Sequence, residues 1–290
     1  MPPMSYAGKL RAHFTAFAEA PVLDQPYQRS DLPVTKTYCI LITPRSGSTW
    51  LCQRIARRNV LSCPQEHFIA DEFANTLTFN PGRDIYEVFD IIARKNATNT
   101  GLFGFKLSYF DLEEFEREAP LLDVMPGEKH FVYLSRRNFV AQAISLYIAV
   151  ESQVFHAYDL ESAPPERPEI PYDDSKIMYW ASHILQQEYG IRRWLTANQI
   201  EPVLLSYEEL LDDIDAAIAK IADSLGVDLA AAPTLATPQT EPVTADYAAA
   251  YERAFRRDHG DFCRRWERLR GIAPCFYAGA ALARSAVTAP

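Results

Sequence analysis

The sequence predicts a three-layer α/β fold around a mostly parallel central sheet. Four short apolar runs, Tyr38–Thr43, Leu102–Ser108, His130–Ser135 and Pro202–Ser206, each end in polar residues, as buried parallel strands do. Helix-compatible segments lie between and after them: Trp50–Asn59, Asp84–Asn96, Asn138–Glu151, Asp173–Thr196 and Leu211–Leu225. Strands alternating with helices imply crossover connections, and hence helices on both faces of the sheet. With 290 residues, 48% of them hydrophobic and 12% aromatic, the chain can bury a sizeable core and is not a disordered one.

The first 36 residues read as an N-terminal extension. Met1–Lys9 holds no hydrophobic signal core and no run nears the ~20 apolar residues of a membrane span, so the cytoplasm is the expected location. The strand Tyr38–Thr43 then runs into Pro44-Arg-Ser-Gly-Ser-Thr-Trp50 and at once into a helix. A helix start aims several backbone N–H groups at one spot, where the dipole adds about half a positive charge. Ser46, Ser48 and Thr49 contribute hydroxyls, Gly47 permits close approach and Arg45 brings a full charge. The loop is an anion cradle. It departs from the nucleotide-triphosphate pattern G-x-x-x-x-G-K-[ST], because it has one glycine and its basic residue stands in front.

Ligands of open parallel sheets bind at the carboxyl ends of the strands, where Arg45, Lys106 and Arg137 would all arrive. Arg137 follows the third strand, with Asn138 placed to cap the next helix. Ser145 is eight residues on, only ~80° round a helix axis, so a guanidinium and a hydroxyl can face one group such as a ribose phosphate. Ala157–Pro171 carries Pro164, Pro165, Pro168 and Pro171, so residues 151–172 read as an acceptor-side loop or lid. Beyond a second Pro-rich stretch, Pro233–Pro242, one long helix is expected over Ala245–Arg270, with Tyr247, Tyr251, Ala254 and Phe255 on its apolar face. Residues 271–290 read as a tail.

Net charge is −9, which disfavours nucleic acid as a partner. Many basic residues are nevertheless paired arginines: Arg57-Arg58, Arg136-Arg137, Arg192-Arg193, Arg256-Arg257 and Arg264-Arg265. The planar arginine fork suits phosphate and sulfate oxygens held in a local pocket. The five cysteines, Cys39, Cys52, Cys63, Cys263 and Cys275, form no C-x-x-C pair and read as structural thiols, and no metal cluster is evident.

The loop Pro44–Trp50, the pair Arg137/Ser145 and Ser206-Tyr207-Glu-Glu-Leu210 together resemble the cofactor signatures of the sulfotransferase superfamily, whose fold is P-loop-like and whose donor is 3′-phosphoadenosine-5′-phosphosulfate (PAPS). Ser62-Cys-Pro-Gln-Glu-His-Phe68 and Gln142–Val150 are similar to the bacterial trehalose 2-sulfotransferase-type family, and the resemblance spans residues 37–270. It implies that Arg45, Ser46, Gly47, Ser48 and Thr49 hold the phosphosulfate, and that Trp50 begins the helix and packs near the adenine. It implies that Arg137 and Ser145 grip the 3′-phosphate, that Arg256 and Arg257 close over it, and that Tyr207 lies near the adenine or in the core. Arg264 and Arg265 fall to a solvated face.

Sulfuryl transfer to an alcohol needs a base for the hydroxyl proton and cations for the departing phosphate. Lys106 is the expected cation. Many relatives carry a histidine two residues after this lysine, but this chain has Ser108. The resemblance therefore assigns the base to Glu66, with His67 as its competitor. Glu66, His67, Phe68, Tyr147 and Phe155 are the expected acceptor contacts, with Tyr158 and Tyr172 as further aromatic faces. The expected reaction is transfer from PAPS to a hydroxyl of a carbohydrate or glycolipid-type acceptor, without a metal, and the resemblance suggests a homodimer. A nucleotide-dependent phosphotransferase and a non-catalytic 3′-phosphonucleotide-binding protein are the alternatives.

Overall fold

The computed structural model describes residues 33–69, 76, 80, 82–155, 170–230 and 247–271. Among these residues the chain forms two compact units. One gathers residues 33–42, 47–134 and 201–230, and the other 43–46, 135–200 and 247–271.

The first unit carries the sheet. Strand β1 (Lys36–Ile42) pairs in parallel with β2 (Leu102–Ser108) and with β3 (Glu128–Ser135); β4 (Val203–Ser206) completes the order β2-β1-β3-β4. The register sets Ile42 level with both Ser108 and Leu134, so these strands end together.

Alternation along β1 fills both faces. Tyr38, Ile40 and Ile42 join Leu51 and Ile55 of helix α1 (Ser48–Ala56) and a run of apolar residues from a later helix, Ile214–Leu225. Gly104 lies opposite Tyr38, and a Cβ there would sit 2.3 Å from its ring. The missing side chain lets the Tyr38 hydroxyl reach across and donate to the Leu61 carbonyl at 2.6 Å. The other face is aromatic. Phe103 and Phe105 meet Phe89 of helix α2 (Ile85–Asn96), Phe105 also meets Phe68, and Phe115 of helix α3 (Tyr109–Glu118) packs on Phe68 and Phe89, which are stacked at 4.9 Å. Truncating one such ring to alanine costs about 3–5 kcal/mol. Helices thus cover the sheet on both sides, the three layers expected of an α/β chain.

A short helix α4 (Leu121–Val124) precedes β3. The second unit packs helix α5 (Phe139–Ser152) on α6 (Asp174–Ala197) through Phe139, Ala143, Ile144, Ile177, Ala181 and Ile184. After β4 the first unit adds α7 (Tyr207–Asp212) and α8 (Ile214–Leu225). The second unit closes with α9 (Ala248–Asp258) and α10 (Gly260–Gly271).

All the expected strands and most of the helices are present within a few residues, and four differences have local causes. Helix α1 starts at Ser48 rather than Trp50, because left-handed Gly47 serves as its N-cap. The segment expected as Leu211–Leu225 is split at Asp213, which breaks the helix and caps α8 by accepting from the Ala216 N–H at 2.9 Å. The helix expected over Ala245–Arg270 breaks at His259, whose backbone (φ −125°, ψ 37°) is non-helical and whose ring meets Asp174 at 2.8 Å. Helix α3 was not foreseen; Ser108 caps it, its hydroxyl accepting from the Asp111 N–H at 3.3 Å.

Candidate functional site

In the unit that carries the sheet, the segment Ser62–Phe68 lies beside β2. Gln65 bridges to Phe105, and its carbonyl accepts from the Lys106 N–H at 3.0 Å. This pairing brings Glu66 to Lys106, whose Nζ lies 3.1 Å from Glu66 Oε2. Lys106 is buried at 6% exposure, and its Nζ also reaches Thr49 Oγ1 at 3.5 Å. A buried ammonium needs an anionic partner, and here that partner is a half-buried carboxylate. The carboxylate, the ammonium and a hydroxyl of the α1 start are therefore one cluster.

Gly47 at the head of α1 has φ +85°, a conformation glycine adopts without a steric penalty. A Cβ on it would lie 2.6 Å from Cδ2 of Tyr207. Tyr207 opens α7 behind a capping box formed by Ser206 and Glu209, so its ring is fixed against the glycine of the cradle. Trp50 packs against the core of the same unit.

His67 turns the other way from Glu66. Its ring is tilted over Phe103 at 6.0 Å, its Nε2 has no hydrogen-bond partner among the described residues, and burial pulls its pKa down to about 4. Phe68 is 1% exposed inside the aromatic cluster, which corrects its reading as an acceptor contact: it presents no face. Ser108, which stands where many relatives carry a histidine, caps α3 and donates to Asp111 Oδ2 at 2.5 Å. Cys52, close to Lys106 and Glu66, has its thiol pushed up to about 12 by burial and is inert.

The second unit holds the other part of the loop, Thr43–Ser46. Gln142, buried in α5, donates through Nε2 to Thr43 Oγ1 at 2.8 Å and to the Pro44 carbonyl at 2.7 Å. Arg45 follows with φ +62°, a strained state for a side-chain-bearing residue. Its Nε donates to Ser145 Oγ at 3.0 Å, its Nη1 donates to the Phe155 carbonyl, and its own carbonyl accepts from Arg136 Nη1 at 3.4 Å. Ser46 is fully buried, and its Oγ has no partner among the described residues.

Arg137 is exposed just after β3. Asn138 caps α5 by accepting from the Ala141 N–H at 3.1 Å. Arg256 grips that cap: its Nη2 donates to Asn138 Oδ1 at 2.9 Å, and Glu252 and Glu267 lie 2.8 and 2.5 Å from its guanidinium. In this structure its guanidinium is thus already engaged by the α5 cap and by two carboxylates. Arg257 faces solvent, paired with Asp258 at 2.7 Å. Tyr147 is 1% exposed, its hydroxyl donating to the Pro171 carbonyl at 2.6 Å, so it is core rather than an acceptor face. Phe155 is exposed, whereas Tyr172 packs edge-on against Tyr251 at 5.4 Å. Tyr158 and most of the Pro-rich loop, 156–169, lie outside the described residues.

Sequence reading gave no role to Thr43, Arg136, Gln142, Glu188 or Arg270. Gln142 could have been found as a lone amide within the apolar start of α5, Phe139–Ile148.

The family model described as Stf0 sulphotransferase matches residues 37–258. The chain belongs to the Stf0 sulphotransferase family. It is 25% identical over 239 residues to trehalose 2-sulfotransferase of Mycobacterium tuberculosis (strain ATCC 35801 / TMC 107 / Erdman), covering 69% of this chain and 88% of the relative. It is 24% identical over 278 residues to trehalose 2-sulfotransferase of Mycolicibacterium smegmatis (strain ATCC 700084 / mc(2)155), covering 79% and 98%. Among solved structures, the sulfotransferase domain from the Synechococcus PCC 7002 olefin synthase is similar at 16% identity, with a TM-score of 0.35 and coverage of 78% and 86%; a likeness that slight carries no argument. Membership makes the protein a sulfotransferase, and hence an enzyme. Among the described residues no three His, Cys, Asp or Glu stand close enough to hold a metal ion, and no helix is long and apolar enough to cross a membrane.

Proposed function

We propose that this Stf0 enzyme moves a sulfuryl group from PAPS to a hydroxyl of a carbohydrate acceptor, with Lys106 and Glu66 as the catalytic pair. One observation carries the reading: a buried lysine bridges a carboxylate at 3.1 Å and a hydroxyl of the α1 N-terminus at 3.5 Å. The arrangement supports that reading: a carboxylate able to accept a proton stands beside a buried cation, next to a helix start suited to anions.

The residues present fit the donor. Ser46 carries a buried hydroxyl with no partner among the described residues, which an anionic oxygen would satisfy. Gly47 makes room for the Tyr207 ring, which fixes the turn of the cradle, and α1 begins with amides that no side chain caps. Arg45, Ser46, Gly47, Ser48 and Thr49 would hold the 5′-phosphosulfate, and Arg137 with Ser145 the 3′-phosphate. Bound there, the donor supplies an activated sulfuryl group on a phosphate leaving group. Glu66 takes the acceptor's hydroxyl proton, and Lys106 stabilises charge on the oxygens from which the sulfuryl group departs. His67 is set aside as the base because its ring faces Phe103, while the neighbouring carboxylate faces the lysine.

A sugar acceptor is supported by the trehalose relatives, with Glu66, His67 and Phe155 its remaining contacts among the residues expected. The test is transfer of labelled sulfate from PAPS to a panel of sugars, trehalose included, read by mass spectrometry. Sulfated product that disappears with Glu66→Gln is the expected result. Magnesium-dependent ATP turnover without any sulfate transfer would overturn the proposal.

A further inference from the structure

Arg270 and Glu188 form a buried clasp in the second unit. Glu188, mid-way along α6, is 2% exposed, and the Arg270 side chain, in the last turn of α10, is 10% exposed. The fork is bidentate: Nε donates to Glu188 Oε2 at 2.7 Å and Nη2 to Oε1 at 2.6 Å. The far side of the guanidinium is also engaged. Nη1 donates to the Arg137 carbonyl at 2.7 Å, and Nη2 also donates to the Arg136 carbonyl. The Phe139 ring lies 5.2 Å from the guanidinium carbon, which leaves the planar group little freedom to turn.

A carboxylate so deeply buried is tolerated only with a cation in good geometry. A second cation near it, Arg192, stands 3.8 Å from Glu188, one turn along the same helix. The consequence falls on residues 136 and 137. Their carbonyls are tied down, so the directions in which their side chains leave the backbone are set. The Arg136 side chain in turn donates to the Arg45 carbonyl.

We infer that Arg270, oriented by Glu188, is a positioning residue for the 3′-phosphate site: it fixes the Arg136–Arg137 turn so that Arg137 is pre-organised for its anion. Neither residue had been assigned a role, and Arg270 lies beyond the span 37–258 matched by the family model. Pre-organisation of this kind matters because a flexible arginine must give up rotamer freedom on binding. The inference rests on the reading of Arg137 as a 3′-phosphate contact.

The experiment compares adenosine 3′,5′-bisphosphate with adenosine 5′-monophosphate by titration calorimetry on the full chain, which separates the two claims. Arg270→Ala alone strands Glu188 and endangers folding, so the working variant is Glu188→Met with Arg270→Met, which removes both charges together; Arg137→Ala is the reference. The expected result is a wild-type preference for the bisphosphate that falls by about tenfold or more in Arg137→Ala and in the double variant, the worth of a hydrogen bond to a charged group. Monophosphate affinity should stay within about threefold. A folded double variant that keeps the full preference, or one that loses both ligands equally, overturns the positioning role while leaving Arg137 in place. A wild type without any preference for the 3′-phosphate overturns the reading of the site itself, and this inference with it.

Discussion

Arg45 and Ser145, a hundred residues apart, are joined by a 3.0 Å hydrogen bond from Nε to Oγ. Both are expected to hold the same donor, one at the 5′ end and the other at the 3′-phosphate. Arg45 adopts φ +62° to make this contact, so a conformational cost of about 1–2 kcal/mol is spent at a ligand-binding position. Replacing Arg45 by glycine relieves that strain and removes the charge. Thermal unfolding of Arg45→Gly should therefore shift little, within about 1 kcal/mol, because lost contacts and relieved strain oppose one another. Calorimetric affinity for adenosine 3′,5′-bisphosphate should fall at least about tenfold. A variant that binds normally would remove Arg45 from the cradle.

The Lys106–Glu66 pair predicts a split between binding and turnover. Glu66→Gln keeps the side-chain shape and an oxygen for the ammonium but not the charge, so the protein should melt somewhat lower yet stay folded, with donor affinity held within about threefold. Turnover with a sugar acceptor should fall by about 10²–10⁴, the usual worth of a general base. Lys106→Met keeps the buried stem and removes the charge, leaving Glu66 without its cation. It should lower kcat by a similar factor and kcat/KM with it, because the interaction lost is one made with developing charge. Steady-state kinetics on both variants checks this. A change confined to a higher KM, with kcat unaltered, would show that the pair binds substrate without catalysing.

Gly47 has two independent reasons to resist substitution. Its φ of +85° is costly for any other residue, and an added Cβ would meet Tyr207 at 2.6 Å. Gly47→Ala should destabilise by about 1–3 kcal/mol and abolish detectable bisphosphate binding. Adding Tyr207→Ala removes the clash but not the backbone strain, so stability should return only in part. Full recovery in the double variant would mean that the ring contact alone matters.

The sheet was legible because its strands are short, apolar and closed by polar residues, a pattern that depends little on distant partners. The cradle was legible for the same reason, as a local run of small residues between a strand and a helix. What the sequence hid depends on tertiary pairing. The break at His259 keeps Tyr251, Phe255 and Cys263 on the core side, so the apolar spacing runs on across it; Gly260 was the visible cue. Phe68 and Tyr147 are aromatics that could line a sugar site or a core, and only packing decides between these. Arg256 had the charge for a phosphate, but Glu252 sits one turn earlier at i−4, a spacing that predicts an ion pair. The clasp of Arg270 on Glu188 joins residues 82 apart and leaves no local trace.

The two candidate bases can be separated by pH. Burial pulls His67 from its ordinary 6.5 down to about 4, so between those values the unfolded chain binds a proton that the folded chain refuses. Stability then rises with pH across that window: it is fully present above about 6.5 and is lost as pH falls towards 4. The full shift corresponds to no more than about 3 kcal/mol, less after allowance for the ring's partial exposure. His67→Phe should flatten the slope of melting temperature between pH 7.5 and 4.5, since a phenyl ring fits the contact with Phe103 and cannot titrate. It should also retain sulfate transfer, because proton abstraction is assigned to Glu66. If His67→Phe instead loses turnover as severely as Glu66→Gln while melting normally, the base is the histidine, and the ring must swing away from Phe103 to reach the acceptor.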